Sequence, residues 1–101
     1  MPWCTLVHMQ EAVGFEWDER KARANRRKHR VDFADAATIF GDERAVTVAE
    51  DDPEEERYAT IGIDALARVL VVVYTMRGDR IRIISARRAT KREREHYEQG
   101  L

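Results

Sequence analysis

The sequence predicts an α+β domain with two N-terminal helices, a four-stranded antiparallel meander and a C-terminal helix. Three observations carry this. Phe33, Ala36, Ala37 and Phe40 recur at i, i+3, i+4 and i+7, the apolar stripe of an amphipathic helix, and Gly41 closes it. Val69-Leu70-Val71-Val72-Val73 is apolar at every position, as in a strand buried on both faces, and short turn segments separate it from strand-like runs on either side. Thr90 followed three residues later by Glu93 is the capping box that starts a helix.

Taken in order, residues 1–14 show no periodicity and read as a poorly ordered leader, so the domain is expected over 15–101. Phe15-Glu16-Trp17 alternates and reads as a short strand. Trp17 suits a core anchor; its other reading is an exposed platform on which a base stacks. Asp18 is a suitable N-cap, Glu19 complements the dipole, and a helix is expected over 19–29 with its bases toward the C-terminal end. Lys21, Asn25 and Lys28 share one face of it, and Ala22 and Ala24 leave room for a neighbour. His29-Arg30-Val31 interrupts the pattern before the second helix, 33–40. Strands follow at 45–48, 57–63, 68–76 and 80–87, with an acidic loop at 50–56 and a tight hairpin at Arg77-Gly78-Asp79. The last helix, 91–98, has Tyr97 as its one large apolar residue.

With 101 residues the chain has room for one modest core. No run is apolar for the length of a membrane span and no secretory signal stands at the N-terminus, so a cytoplasmic protein without membrane contact is expected. The single cysteine, Cys4, forms no internal disulfide and no cysteine metal cluster. His8, His29 and His96 lack the spacing of a metal site, and neither a metal nor another cofactor is expected. Ser85 lacks the flanking glycines of a nucleophile elbow.

The net charge of −1 conceals segregation. Residues 20–30 carry seven bases and residues 77–94 eight more, with an acidic stretch between them. Solvated surface explains such runs; so does an anion-binding field, if the fold brings the two runs together. Lys21, Lys28, His29, Arg57, Arg77, Arg82, Arg87, Arg88 and Tyr97 form a cationic and aromatic set. It fits polyanion binding, and it fits RNA cleavage in which the ribose 2′-hydroxyl attacks its own phosphate. That reaction needs a proton acceptor, cations around the pentacoordinate phosphate and a donor for the leaving oxygen. Arg87 and Arg88 end a strand that alternates Arg80-Ile81-Arg82-Ile83; they fit a phosphate, which guanidinium meets bidentately, and they fit equally the solvated arginines of an ordinary edge strand.

Several spaced motifs resemble the BrnT toxin family. They are Phe15-Glu16-Trp17-Asp18, Lys21, Asn25, Lys28-His29, Val31-Asp32-Phe33, Ala36 and Phe40-Gly41-Asp42 in the first half. In the second they are Glu56-Arg57, Gly62, Leu70 to Thr75, Arg77 and Arg82 to Ala89, then Glu93 and Tyr97. Arg30 departs from the family, which commonly has glycine after Lys-His, and so puts a left-handed helix end in question at that position. The resemblance implies a RelE-like fold and an endoribonuclease toxin that blocks translation. It also implies a BrnA-like ribbon-helix-helix antitoxin, a toxin–antitoxin heterotetramer, and contact with operator DNA through the antitoxin. On this reading Arg87, Arg88, Lys28, His29 and Tyr97 are the catalytic candidates, and Lys21, Arg57, Arg77 and Arg82 bind RNA. A non-catalytic basic module, or a co-repressor acting only in complex with its antitoxin, uses the same residues and stays open. An exposed apolar surface for the antitoxin is expected, at a place the sequence does not give.

Overall fold

A computed structural model describes residues 14–50 and 54–100. The leader expected at 1–14 therefore lies outside the described residues except for Gly14, as does the centre of the acidic loop. Five strands form one mixed sheet: β1 (Gly14–Glu16), β2 (Val46–Glu50), β3 (Arg57–Ile63), β4 (Val69–Arg77) and β5 (Arg80–Arg88), in the order β1-β5-β4-β3-β2. The expected meander is there as β2 to β5, antiparallel throughout, with the all-apolar β4 in the middle. The four-stranded antiparallel expectation is corrected at one edge. β1 adds a fifth strand, parallel to β5, with Phe15 opposite Ile81 and Glu16 opposite Arg82. Gly14 belongs to that strand, not to the leader. So short a strand gives no sequence signal of its partner, which lies more than sixty residues away.

Helix α1 (Glu19–His29) begins at Asp18, whose carboxylate accepts from the Arg20 and Lys21 amides at 2.8 and 3.1 Å. Helix α2 (Phe33–Ala37) is shorter than expected and tightens into a 3₁₀ turn at Thr38–Gly41. The turn keeps three-residue spacing, so Ile39 follows Ala36 into the core and is fully buried, while Phe40 sits at its edge, 5.0 Å edge-on from Tyr74. Helix α3 (Lys91–Glu98) opens with the expected capping box.

Alternation along the strands separates two sheet faces. Leu70, Val72, Tyr74, Ile81, Ile83 and Ala86 face α1 and α2 and make the core with Val31, Phe33, Ala36 and Ile39. An irregularity in the β4–β5 register at Val73/Tyr74 keeps Ile83 and Ala86 on the same face. The second face carries Val46, Val48, Ile61, Val71 and Val73, of which Val48 is 58% exposed. Gly78, at φ 61°, takes the first position of the two-residue β4–β5 hairpin, where an L side chain would be strained.

Helix α1 has no large apolar residue, and its hold on the sheet is polar. Asn25, 7% exposed, donates to the carbonyls of Val31 at 3.1 Å and Ala86 at 2.8 Å, and its oxygen accepts from the Ala86 amide at 3.1 Å. Arg30 then ends the helix at φ 60°, ψ 33° with its amide on the Arg26 carbonyl. The left-handed geometry questioned at this position is present without glycine.

Asn25→Ala leaves three backbone groups without partners, and urea unfolding is expected to show a loss of about 2–4 kcal/mol. Arg30→Gly removes the steric penalty of a side chain in the left-handed region; a gain of about 0.5–1 kcal/mol is expected in the same assay.

Candidate nucleic-acid interface

The two basic runs meet along β5. Helix α1 packs on that strand, and three contacts place its C-terminal end beside the strand's end. Asn25 holds Ala86; the Arg30 carbonyl accepts from Arg68 Nη1 at 3.3 Å; and the Ala89 amide bonds the carbonyl of Val69, next to Arg68. Arg68 is itself fixed by Asp64 at 2.8 Å, a carboxylate with no side-chain exposure.

At this end, on the helix side of the sheet, lies Arg88, two residues past the buried Ala86 and exposed. Lys28 and His29 follow one helical turn after Asn25, Lys28 exposed and His29 half-buried. Lys21, also exposed, is one turn before Asn25 on the same flank as Lys28. Lys28, His29 and Arg88 therefore share one end of the fold.

Arg87 and Arg88 do not share a face. As neighbours on a strand they alternate, and Arg87 points away from α1. There it holds Glu93 of α3 through two bonds, Nη1–Oε1 at 2.7 Å and Nη2–Oε2 at 2.9 Å. Glu93 also accepts from the Thr90 amide at 2.8 Å. The Arg87 guanidinium, with the cap amide in support, holds the Glu93 carboxyl down at about 2. Tyr97 is likewise engaged. Its hydroxyl donates to Asp42 Oδ2 at 2.6 Å, and burial together with that carboxylate pushes the phenol up to about 12. Burial opposes the charge on Asp42, but Tyr97 and the amides of Ile63 and Arg44 outweigh it and hold its carboxyl low. Arg87 and Tyr97 thus dock α3.

The other basic candidates gather at the opposite end of the sheet's second face. Arg82 bonds Glu16 at 2.8 Å and Arg80 meets the same carboxylate at 3.3 Å. Arg57 pairs with Glu55 at 2.9 Å, and Arg77 is exposed at the end of β4, opposite Arg80. Asn25, Asp42 and Asp64 matter to the site's shape and were not among the sequence candidates; the signal for Asn25 was a short polar residue in a helix otherwise without means of packing. Among the described residues no three of His, Cys, Asp and Glu come together as a metal cluster. Among the described residues no helix is long and apolar enough to cross a membrane.

Residues 17–93 match the family model for BrnT, the ribonuclease toxin of a type II toxin–antitoxin system. The chain belongs to the BrnT family. A crystal structure of the Brucella abortus ribonuclease toxin BrnT superposes with a TM-score of 0.59 at 25% identity, covering 77% of this chain and 97% of that one. No curated protein matches. As a BrnT member the chain is a ribonuclease toxin of a type II system, with RNA as substrate and an antitoxin as partner. The BrnT architecture also accounts for the sheet, three helices and five strands of mixed direction.

The depressed Glu93 carboxyl gives a pH prediction. Its folded value lies below the unfolded one of about 4.3, so its stabilisation is complete above about pH 5 and is lost as pH falls toward 2. Glu93 is partly solvated, so the loss is of the order of 1–2 kcal/mol. Thermal melts between pH 7 and pH 2 should show Glu93→Gln less stable than the parent at neutral pH and the two converging at the acid end.

Proposed function

We propose that this BrnT toxin cleaves RNA without a metal ion, at the end of β5 where Arg88, Lys28 and His29 share one side of the sheet. The ribose 2′-oxygen bonds to the adjacent phosphorus as the bond to the 5′-oxygen breaks. His29 takes the 2′-proton and Lys28 supplies a proton to the leaving oxygen. Arg88 neutralises the charge that builds on the phosphoryl oxygens. The carrying observation is that Arg88 is exposed and meets no carboxylate among the described residues, whereas Arg87 is committed to Glu93. Arg87 and Tyr97 act at one remove, by docking α3. Lys21 lies along the α1 flank that leads to Lys28, and Arg57, Arg77 and Arg82 hold the RNA backbone farther off, Arg77 being the least engaged with carboxylates.

We assign residues 14–101 to one toxin domain acting in the cytoplasm, one residue more than the sequence suggested because Gly14 opens β1. Its antitoxin on this reading is a BrnA-like ribbon-helix-helix protein that forms a heterotetramer with it and carries the complex to operator DNA.

Purified toxin incubated with RNA and excess chelator should cleave it. Arg88→Ala, Lys28→Ala and His29→Ala should each slow cleavage by about 100-fold or more while melting cooperatively, and should relieve growth arrest on induction. Arg87→Ala should lower the melting temperature and keep most of the cleavage rate. A folded Arg88→Ala protein that cleaves at the parent rate would remove this assignment.

A further inference from the structure

The outward face of α1 is not used by the chemistry above. Arg23, Arg27 and Arg30 point away from Asn25 and the sheet, and with Arg26 they line a surface concavity of about 400 Å³ that no carboxylate lines. Arg26 reaches Asp32 at 3.3 Å; the other three meet no carboxylate among the described residues. Four guanidiniums around one hollow repel one another, and the helix dipole alone would be satisfied by fewer. Arg30 adds a second sign of function. It occupies a left-handed backbone position that glycine would fill more cheaply, and strain kept for the sake of a side chain marks a functional position.

A second concavity of about 220 Å³ adjoins the first and shares Arg23 and Arg26 with it. Its other walls are apolar and aromatic, Trp17, Ala22 and Phe33, with Trp17 edge-on to Phe33 at 6.0 Å. Glu19 and Asp32 line it too, and Glu19 accepts from the Trp17 indole at 3.2 Å. Its volume is several times the ~30 Å³ share of one water and below the ~300 Å³ at which drug-sized pockets begin, a size for one planar ring system.

We propose that the two hollows are one nucleotide subsite, with a guanine beside Trp17 and its phosphate among Arg23, Arg26, Arg27 and Arg30. It selects the RNA that the proposed active site cleaves, and in that respect rests on the ribonuclease reading. Guanine is the base that answers both charge signs in the small hollow. Its O6 and N7 accept from an arginine fork, and its N1–H and N2–H₂ are adjacent donors that suit a carboxylate. Uracil offers no such pair of donors, and cytosine sets one amino group beside acceptors. Stacking on Trp17 supplies binding that is indifferent to sequence; the Glu19 and Asp32 carboxylates supply the choice.

The test is titration of the full-length protein with GMP, CMP, UMP and inorganic phosphate, followed by the amide and indole N–H signals in NMR. GMP is expected to shift the Trp17 indole and the Ala22, Arg23 and Arg26 amides, and to bind about tenfold more tightly than CMP or UMP. Phosphate should move only the arginine face. Arg27→Ala, at an exposed position, and Arg30→Gly, at one where glycine is favoured, both keep the fold. Each should weaken GMP binding about fivefold. Arg88→Ala should leave GMP binding intact while slowing cleavage by about 100-fold or more. A still Trp17 signal, equal binding of the three nucleotides, or unchanged affinity in both arginine variants overturns the subsite, and RNA cleavage by the same sample would leave the ribonuclease reading standing. GMP binding in a protein that cleaves no RNA would uphold the hollow as a guanine site and sink its link to cleavage.

Discussion

The fold's functional geometry depends on one buried amide. Helix α1 is cationic nearly throughout and has no large apolar side chain to bury, so the hydrophobic effect alone gives it little reason to stay on the sheet. Asn25 supplies that reason, with both N–H donors and its oxygen engaged on the backbone of Ala86 in β5 and Val31 before α2. A short side chain with two donors and an acceptor can bridge two backbone segments where a leucine would only touch them. A polar clamp also fixes orientation more tightly than a greasy contact, since the three bonds hold at one rotation of the helix. That rotation sends Lys28 and His29 toward the end of β5 and sends Arg23, Arg27 and Arg30 outward.

Sheet alternation then sorts the arginines. On the second face Arg82 and Arg80 are met by Glu16, Arg57 by Glu55 and Arg87 by Glu93, while Arg77 stands exposed at the end of β4. Arg88 and the outward arginines of α1, Arg26 apart, have no such partner among the described residues. The net charge near zero is thus misleading in a definite way, because the acids neutralise most of the bases on one side and leave the other cationic. Anion binding follows from the local field on that side and not from the total charge.

Where local signals sufficed, the sequence was legible. The bounds of α1, α3 and β3 follow from caps and alternation, and the central place of β4 from its unbroken apolar run. The 3₁₀ turn was hidden, because Phe40 completes a helical stripe that reads equally well whether or not the last turn tightens. The parallel pairing of β1 was hidden for another reason: three residues specify a strand but no partner. Among the site residues, the split between Arg87 and Arg88 was implicit in the two-residue period of any strand. A pairing of one of them with Glu93 was within reach of the sequence; which one was not, since Glu93 becomes the partner of Arg87 only when α3 folds back over the second face.

The sequence by itself determined the classes of element, the cationic character of the interface and membership of the BrnT family, because caps, periodicity and spaced motifs are properties of neighbouring residues. Tertiary structure alone decided which cations are neutralised and which stand open, and that the polar Asn25 is the hinge of the site. Both depend on contacts between residues far apart in the chain, 61 positions in the case of Asn25 and Ala86. No local pattern encodes such a contact until the sheet exists to receive it.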